Sequence, residues 1–219
     1  MADSRQTILA ALRKGLADNP SPVLAPAPAP SMPSLPEGNA AWEAFRTALS
    51  RIRVELDVAR DADQAKALLL KEVESRSVRK VALWETGLPV DAASWLREAG
   101  VAVVFGGESG CQAFADAGLG VTGVAAAFLN TGTLLVRAGK GTPRGASLLP
   151  PVHLALVPRS ALVASTLALP GLLREAKAEG MPSAFHTITG PSSTSDIELF
   201  PVFGVHGPTT LMVLGLDFC

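Results

Sequence analysis

The stretch VRKVALWETGLPVDAASWLREAGVAVVF, residues 78–105, decides the fold class. Residues 78–84 are predicted to form a strand, and the apolar residues 101–105 a short buried strand. Between them, Asp91 can cap a helix that Gly100 closes. A strand, a helix and a strand at this spacing predict a βαβ unit. We therefore expect an α/β fold with a mainly parallel sheet flanked by helices.

Apolar spacing predicts further elements on both sides of this unit. Before it, three helices are expected at residues 4–17, 40–59 and 62–75, the last of them capped by Asp61. After it, the expected elements are a short helix at 112–117, strands at 134–136, 154–157, 184–189 and 211–216, and a helical region at 160–178. Helices and strands therefore alternate through most of the chain.

Seven prolines between residues 19 and 37 separate the first helix from the rest of the chain. Alternating Ala-Pro at residues 25–30 favours an extended polyproline conformation. We expect an N-terminal helical arm at residues 1–18, a proline-rich linker at 19–38 and one α/β domain at 39–219. The arm is either a loosely docked terminus or an element that grips another subunit, and the sequence leaves both open.

Composition argues against several classes of protein. The 219 residues, 48% of them hydrophobic, supply a full core without disulfides or metals. The net charge of −1 comes without charge blocks, which argues against a nucleic-acid or anionic-membrane partner. Cys111 and Cys219 are too few to hold an iron–sulfur cluster in this chain, and they fit a reducing compartment. Without a leader pattern or a bilayer-length apolar run, a cytoplasmic location is expected.

Two glycine-containing stretches carry groups suited to binding an anion. Thr131 and Thr133 flank Gly132, and their hydroxyls can bind a carboxylate or phosphate, unless the stretch is only a tight turn or β-bulge. Lys140 and Arg144 stand on a flexible, glycine-rich loop, which is otherwise a solvated hairpin loop. This loop matches neither the dinucleotide nor the P-loop fingerprint. Ligands of open α/β sheets bind beyond the carboxyl ends of strands, where we expect these groups.

The stretch SLLPPVH, residues 147–153, places a double proline just before a histidine that opens a buried strand. Histidine is the side chain best suited to proton transfer near neutral pH, so His153 is a candidate catalytic residue. The alternative is a core histidine whose ring is hydrogen-bonded by a backbone carbonyl.

A second catalytic set lies near the C-terminus, in GPSSTSDIE at 190–198 and GVHGP at 204–208. Asp196 and His206 are the candidates there, with Glu198 as a further carboxylate, and such a set suits acid–base chemistry or one hard cation. A capping box over 195–198 would instead make Glu198 structural, and no pattern predicts a metal site. The residues expected to bind ligand in this region are Gly190, Ser192 and Ser195.

Together these stretches resemble the LUD domain, a family named for lactate utilisation. The helical N-terminus and the proline-rich segment fit its C-subunit branch, and the order and spacing of the motifs fit the family. The chain departs from the family pattern at Ala125, Asn130 and Ser193, where charged residues are common. The matching stretches are 121–123, 131–133, 147–153, 190–192, 195–198 and 204–208.

The resemblance implies the fold of the ribose-5-phosphate isomerase, CoA-transferase and formyltetrahydrofolate cyclo-ligase group. It also implies a part in oxidising L-lactate to pyruvate beside two iron–sulfur partner proteins. This chain would be the cluster-free accessory subunit. From the residues themselves, we expect the glycine-flanked segments to form one pocket for a small anionic metabolite, lined by both His153 and His206. Two alternatives stay open: a stand-alone enzyme or binder acting on a carboxylate or phosphate ester, and a non-catalytic regulatory or scaffold protein.

Overall fold

The computed structural model describes residues 4–18, 31–106, 110–194, 202–203 and 207–219. It divides into two compact units, Met1–Ser31 and Met32–Cys219. The first contains helix α1, Ser4–Asp18, which confirms the predicted N-terminal helix. Most of the predicted linker at 19–38 lies outside the described residues, so the proposed domain boundaries stay a prediction.

The second unit contains the α/β elements. Its described helices are α2 Asn39–Arg51, α3 Ala62–Ser75, α4 Ala92–Glu98, α5 Gly110–Ala115 and α6 Leu169–Glu179. Short 3-10 helices cover Arg144–Ser147, Arg159–Ala161 and Thr166–Ala168. The strands are β1 Glu55–Ala59, β2 Lys80–Leu83, β3 Ala102–Val104, β4 Leu119–Gly123, β5 Ala126–Phe128, β6 Thr133–Ala138, β7 Val152–Pro158, β8 Leu162–Val163, β9 Ala184–Ile188, β10 Ser193–Thr194, β11 Val202–Phe203 and β12 Thr210–Leu216. Among the described helices, none has both the length and the apolarity to cross a bilayer.

Helices α3 and α4 begin where the sequence predicts. The carboxylate of Asp61 accepts a hydrogen bond from the backbone N–H of Gln64 at 2.7 Å, and that of Asp91 accepts one from Ser94 at 3.1 Å. Each bond satisfies a backbone N–H that has no partner within its helix.

Six parallel strands form the main sheet, in the order β1-β12-β7-β4-β2-β3, which confirms the mainly parallel sheet. Strand β7 lies inside this sheet, and its residues 152–157 are all buried. Parallel strands covered on both faces read as continuous apolar runs, as residues 154–157 do. The central position of β7 places His153 in the interior of the molecule.

A second sheet has the order β8-β5-β6-β9 and mixes parallel with antiparallel pairs, which the sequence did not predict. One face of the main sheet packs against α3 and α4, where Leu69, Leu96 and Leu156 belong to one buried cluster. The other face packs against α2 and the second sheet, where Phe45 and Leu134 belong to one buried cluster. The layer between the two sheets is therefore enclosed by strands on both sides.

The prediction of one helix over residues 40–59 is wrong in its second half. Helix α2 ends at Arg51, Arg53 has a positive φ of 59°, and β1 follows. In β1, Leu56 is buried while the residues on either side of it are exposed, which is the alternation of a strand. Because Leu56 also falls at helical spacing from Ile52, the apolar pattern alone could not exclude a helix.

The helical region predicted at 160–178 is wrong in its first half. Two 3-10 helices and β8 occupy that stretch, and α6 begins only at Leu169. The hydroxyl of Ser165 accepts a hydrogen bond from the N–H of Leu167 at 3.3 Å, and β8 pairs with β5. Pairing of β8 with a distant strand and Pro170 in the first turn of α6 therefore separate these elements.

Candidate functional site

His153 is the second residue of β7, and its side chain is 1% exposed. Side chains two apart on a strand share a face, so His153 points the same way as Ala155, which packs between the two sheets. Its Nε2 lies 2.9 Å from Oγ1 of Thr122, a fully buried residue of β4. The partner of this nitrogen is thus a side-chain hydroxyl, not the backbone carbonyl of the alternative prediction.

Burial determines the protonation state of His153. Removal from water, with a smaller contribution from His186, lowers the pKa of His153 from 6.5 to about 3. The imidazole is therefore neutral at pH 7. A neutral ring offers one N–H donor and one acceptor nitrogen, and its hydrogen bond with Thr122 occupies Nε2 in one of those roles.

Three distant segments meet around a cavity of about 230 Å³ that His153 lines. They are the start of β7 with Ser147, the stretch after β9 with Gly190 and Ser192, and the stretch before β12 with Pro208. The backbone N–H of Ser192 donates to the carbonyl of Pro208 at 2.9 Å, which ties the second and third segments together. The structure thus brings His153, Gly190 and Ser192 to one cavity.

This cavity lies at the amino ends of β7 and β12, which are paired in register from Val152 and Thr210. That differs from the expected site beyond carboxyl ends. The physical reason is that one wall of the cavity is formed by residues 189–192, which directly follow strand β9 of the second sheet. The site therefore does not depend on the main sheet alone. The rule for open parallel sheets does not anticipate such a wall.

The predicted Thr131–Thr133 group reaches this cavity only indirectly, through a hydrogen bond to the lining residue Thr189. The hydroxyl of Thr131 donates to that of Thr133 at 2.8 Å, and Thr133 shares a hydrogen bond of 2.8 Å with Thr189, which lines the cavity. Gly132 has a positive φ of 71° at the turn between β5 and β6, as the tight-turn alternative requires. These hydroxyls therefore bind one another.

The glycine-rich loop at 139–145 is a tight turn held by hydrogen bonds. Gly139 and Thr142 exchange backbone hydrogen bonds, and the carbonyl of Gly141 accepts from the N–H of Glu85 at 2.8 Å. The indole of Trp84 donates to the carbonyl of Pro143 at 3.2 Å. This loop is thus anchored to the end of β2.

The two cations of this loop lie apart from the His153 cavity. Arg144 lines a second cavity of about 500 Å³, whereas Lys140 is exposed and lines neither cavity. The structure therefore does not bring Lys140 and Arg144 together with the threonine hydroxyls around one anion.

His186 on β9 is half-buried beside the same layer, and sequence reasoning missed it. It pairs with Val136, a buried residue of the cluster that includes Trp84 and Ala146. Among the described residues, its buried Nε2 has no hydrogen-bond partner. Burial first, and then the charge of Arg144, lower the pKa of His186. The alternation of Ala184, His186 and Ile188 along β9 is the sequence signal that could have identified it.

Four predicted site residues, Ser195, Asp196, Glu198 and His206, lie outside the described residues. A cavity shared by His153 and His206 therefore stays a prediction. Within the part of the chain that is described, no group of three or more histidine, cysteine, aspartate or glutamate side chains could hold a metal ion.

Curated relatives match part of this chain. Lactate utilization protein C of Bacillus subtilis is 36% identical over 104 residues, and that of Shouchella clausii is 38% identical over 104 residues. Each alignment covers 47% of this chain, with 43% and 44% of the respective relatives. The chain thus spans somewhat less than half the length of these relatives.

Similarity in fold extends further along the chain. The crystal structure of a DUF162 family protein from Deinococcus radiodurans superimposes with a TM-score of 0.63 and 22% identity, over 83% of this chain and all of that one. Residues 42–214 match the model of the LUD domain, which is well over half of the sequence. This protein therefore belongs to the LUD domain family.

Proposed function

We propose that this chain takes part in lactate utilisation as a cluster-free accessory subunit that binds a small acid in the cavity of His153. The observation that carries the proposal is the meeting of His153, Gly190 and Ser192, from three distant segments, around about 230 Å³. The names of the relatives support the connection to lactate, although the aligned stretch covers only 43% of the Bacillus subtilis protein.

The lining of this cavity favours a small ligand that is bound through hydrogen bonds. The described lining residues combine histidine, serine, threonine and glycine with leucine, isoleucine and proline, and none carries a formal charge. Hydroxyls, an imidazole and backbone groups can bind the carboxylate and the hydroxyl or carbonyl oxygen of a small acid. An ordinary volume for a drug-sized ligand is about 300–1,000 Å³, so this cavity suits a smaller molecule.

His153 orients the ligand in this proposal. A histidine whose pKa is about 3 is a poor proton acceptor at pH 7, because its protonated form is strongly disfavoured there. Its hydrogen bond with Thr122 fixes the ring, which can then hold a ligand oxygen in one orientation. This role differs from the proton transfer predicted from the sequence.

Oxidation of L-lactate to pyruvate removes two electrons and two protons, and an acceptor must take the electrons. The two cysteines of this chain are too few to ligate an iron–sulfur cluster. In the proposed system the electrons therefore pass to iron–sulfur partner proteins, and this chain supplies ligand binding.

Calorimetric titration with L-lactate and pyruvate tests the binding role. We expect His153→Gln and Ser192→Ala each to weaken binding about tenfold, the loss of one hydrogen bond to the ligand. Ser75→Ala on α3 is the matched control, because its exposed hydroxyl bonds the carbonyl of Glu72 and does not line the cavity. Unchanged affinity in both cavity variants, or no binding by the wild type, contradicts the proposal.

Affinity purification from the native host tests the accessory role. We expect the tagged chain to elute with partner proteins that contain iron and acid-labile sulfide in stoichiometric amounts. Recovery of this chain alone, under conditions that preserve labile complexes, contradicts the accessory role while leaving the binding role to the titration.

A further inference from the structure

The cavity of about 500 Å³ shares no described lining residue with the His153 cavity. It lies beside Gly106, two residues beyond the end of β3, and extends to Ser183 and Ala184 at the start of β9. Its volume falls within the range of about 300–1,000 Å³ that is usual for drug-sized ligands. A three-carbon acid would leave most of this space empty.

The floor of this larger cavity is apolar and closely packed. Pro143 and Phe114, of which the second is only 2% exposed, line it, and glycines allow their close approach. A Cβ at Gly106 would lie 2.5 Å from Cγ of Pro143, and one at Gly145 would lie 2.8 Å from Cδ2 of Phe114. Side chains at these positions would collide with the floor, so the two glycines are required for its present shape.

Arg144 supplies a cation beside this floor. Its side chain makes no hydrogen bond or ion pair with the residues that the structure describes, so its donors are available to a ligand. Its backbone belongs to the 3-10 helix Arg144–Ser147, which packs directly on β4. A Cβ at Gly120 would lie 1.8 Å from the carbonyl oxygen of Ala146, so only glycine permits this contact.

We propose that this larger cavity is a second ligand site, which takes an organic anion with an aromatic or other apolar body. The guanidinium of Arg144 binds the carboxylate, sulfonate or phosphate, and the body lies on Phe114 and Pro143. The ligand class differs from that of the His153 cavity, whose described lining is uncharged and which is less than half as large.

Two exposed cysteines provide the test, because Cys111 lines this cavity and Cys219 does not. The full chain is alkylated with iodoacetamide, and the rate at each cysteine is followed by mass spectrometry. The probe is 8-anilinonaphthalene-1-sulfonate, an aromatic anion. We expect it to slow alkylation of Cys111 and to leave the rate at Cys219 unchanged, whereas L-lactate protects neither cysteine.

Arg144→Gln should weaken the protection of Cys111 about tenfold in probe concentration, since one charge-assisted contact is lost. Lys140→Gln is the matched control, because it removes an exposed cation of the same loop that lines neither cavity. Equal protection of both cysteines, no protection of Cys111, or equal effects of the two variants would overturn the proposal. L-Lactate binding in the titrations with His153→Gln is independent of these outcomes.

Discussion

His153 makes the stability of this protein depend on pH. The pKa of this histidine is about 3 in the folded chain, against 6.5 for the ordinary side chain that the unfolded state approaches. Between these values the unfolded chain binds a proton that the folded chain does not. The free energy of unfolding therefore falls as the pH drops below 6.5, by about 1.4 kcal/mol per pH unit.

The size of the effect follows from this slope. Between pH 6.5 and pH 5, protonation of His153 in the unfolded chain lowers the free energy of unfolding by about 2 kcal/mol. The loss stops near pH 3, where its total is about 5 kcal/mol. Domains of this kind have an unfolding free energy of about 5–15 kcal/mol, so the loss is a large fraction of the total. Above pH 6.5 both states are neutral at this residue, and its contribution no longer changes.

Urea unfolding at pH 7 and pH 5 measures this contribution, with His153→Gln as the comparison. Glutamine can keep a hydrogen bond with Thr122 but cannot be protonated in this range. We expect the wild type to lose about 2 kcal/mol more than the variant between the two pH values. The lowered pKa of His186 acts in the same direction in both proteins and cancels in the difference. An identical pH dependence in the two proteins would refute the assignment of a buried, neutral His153.

Three further substitutions test the packing and capping. Gly120→Ala should destabilise the protein by about 1–3 kcal/mol in urea unfolding, because the new Cβ collides with the carbonyl of Ala146; unchanged stability contradicts this contact. Trp42→Phe removes the hydrogen bond that chiefly lowers the pKa of Asp217, so an NMR titration should find a higher pKa for this carboxyl. The free energy of unfolding that is lost when Asp217 becomes protonated at low pH should then be smaller than in the wild type. Asp61→Ala should cost about 1 kcal/mol by removing the N-cap of α3, and a neutral result would show that the cap does not contribute.

Local contacts explain which parts of the fold could be predicted. The caps at Asp61 and Asp91 join residues three apart, so the sequence around them is sufficient to place α3 and α4. The apolar run at 154–157 predicts a buried strand for a similar reason, since burial on both faces requires apolar residues throughout. The α/β class follows from the same short-range patterns.

Long-range pairing explains what could not be predicted. Strand β1 takes its hydrogen bonds from β12, more than 150 residues away, and this pairing ends α2 earlier than its apolar spacing suggests. His186 becomes half-buried because β9 pairs with β6. Neither the pairing of β1 with β12 nor that of β9 with β6 can be predicted from the residues next to each strand in the sequence.

The sequence by itself determined the α/β class, the helix starts at Asp61 and Asp91, and the motif set that includes His153. Those features depend on hydrogen bonds and periodicities within a few residues. Only the tertiary structure decided that His153 and Arg144 line different cavities, because that separation depends on how the second sheet and the 3-10 helix pack on the first sheet. Packing across the layers places side chains by contact with distant segments, and no local pattern encodes those distances.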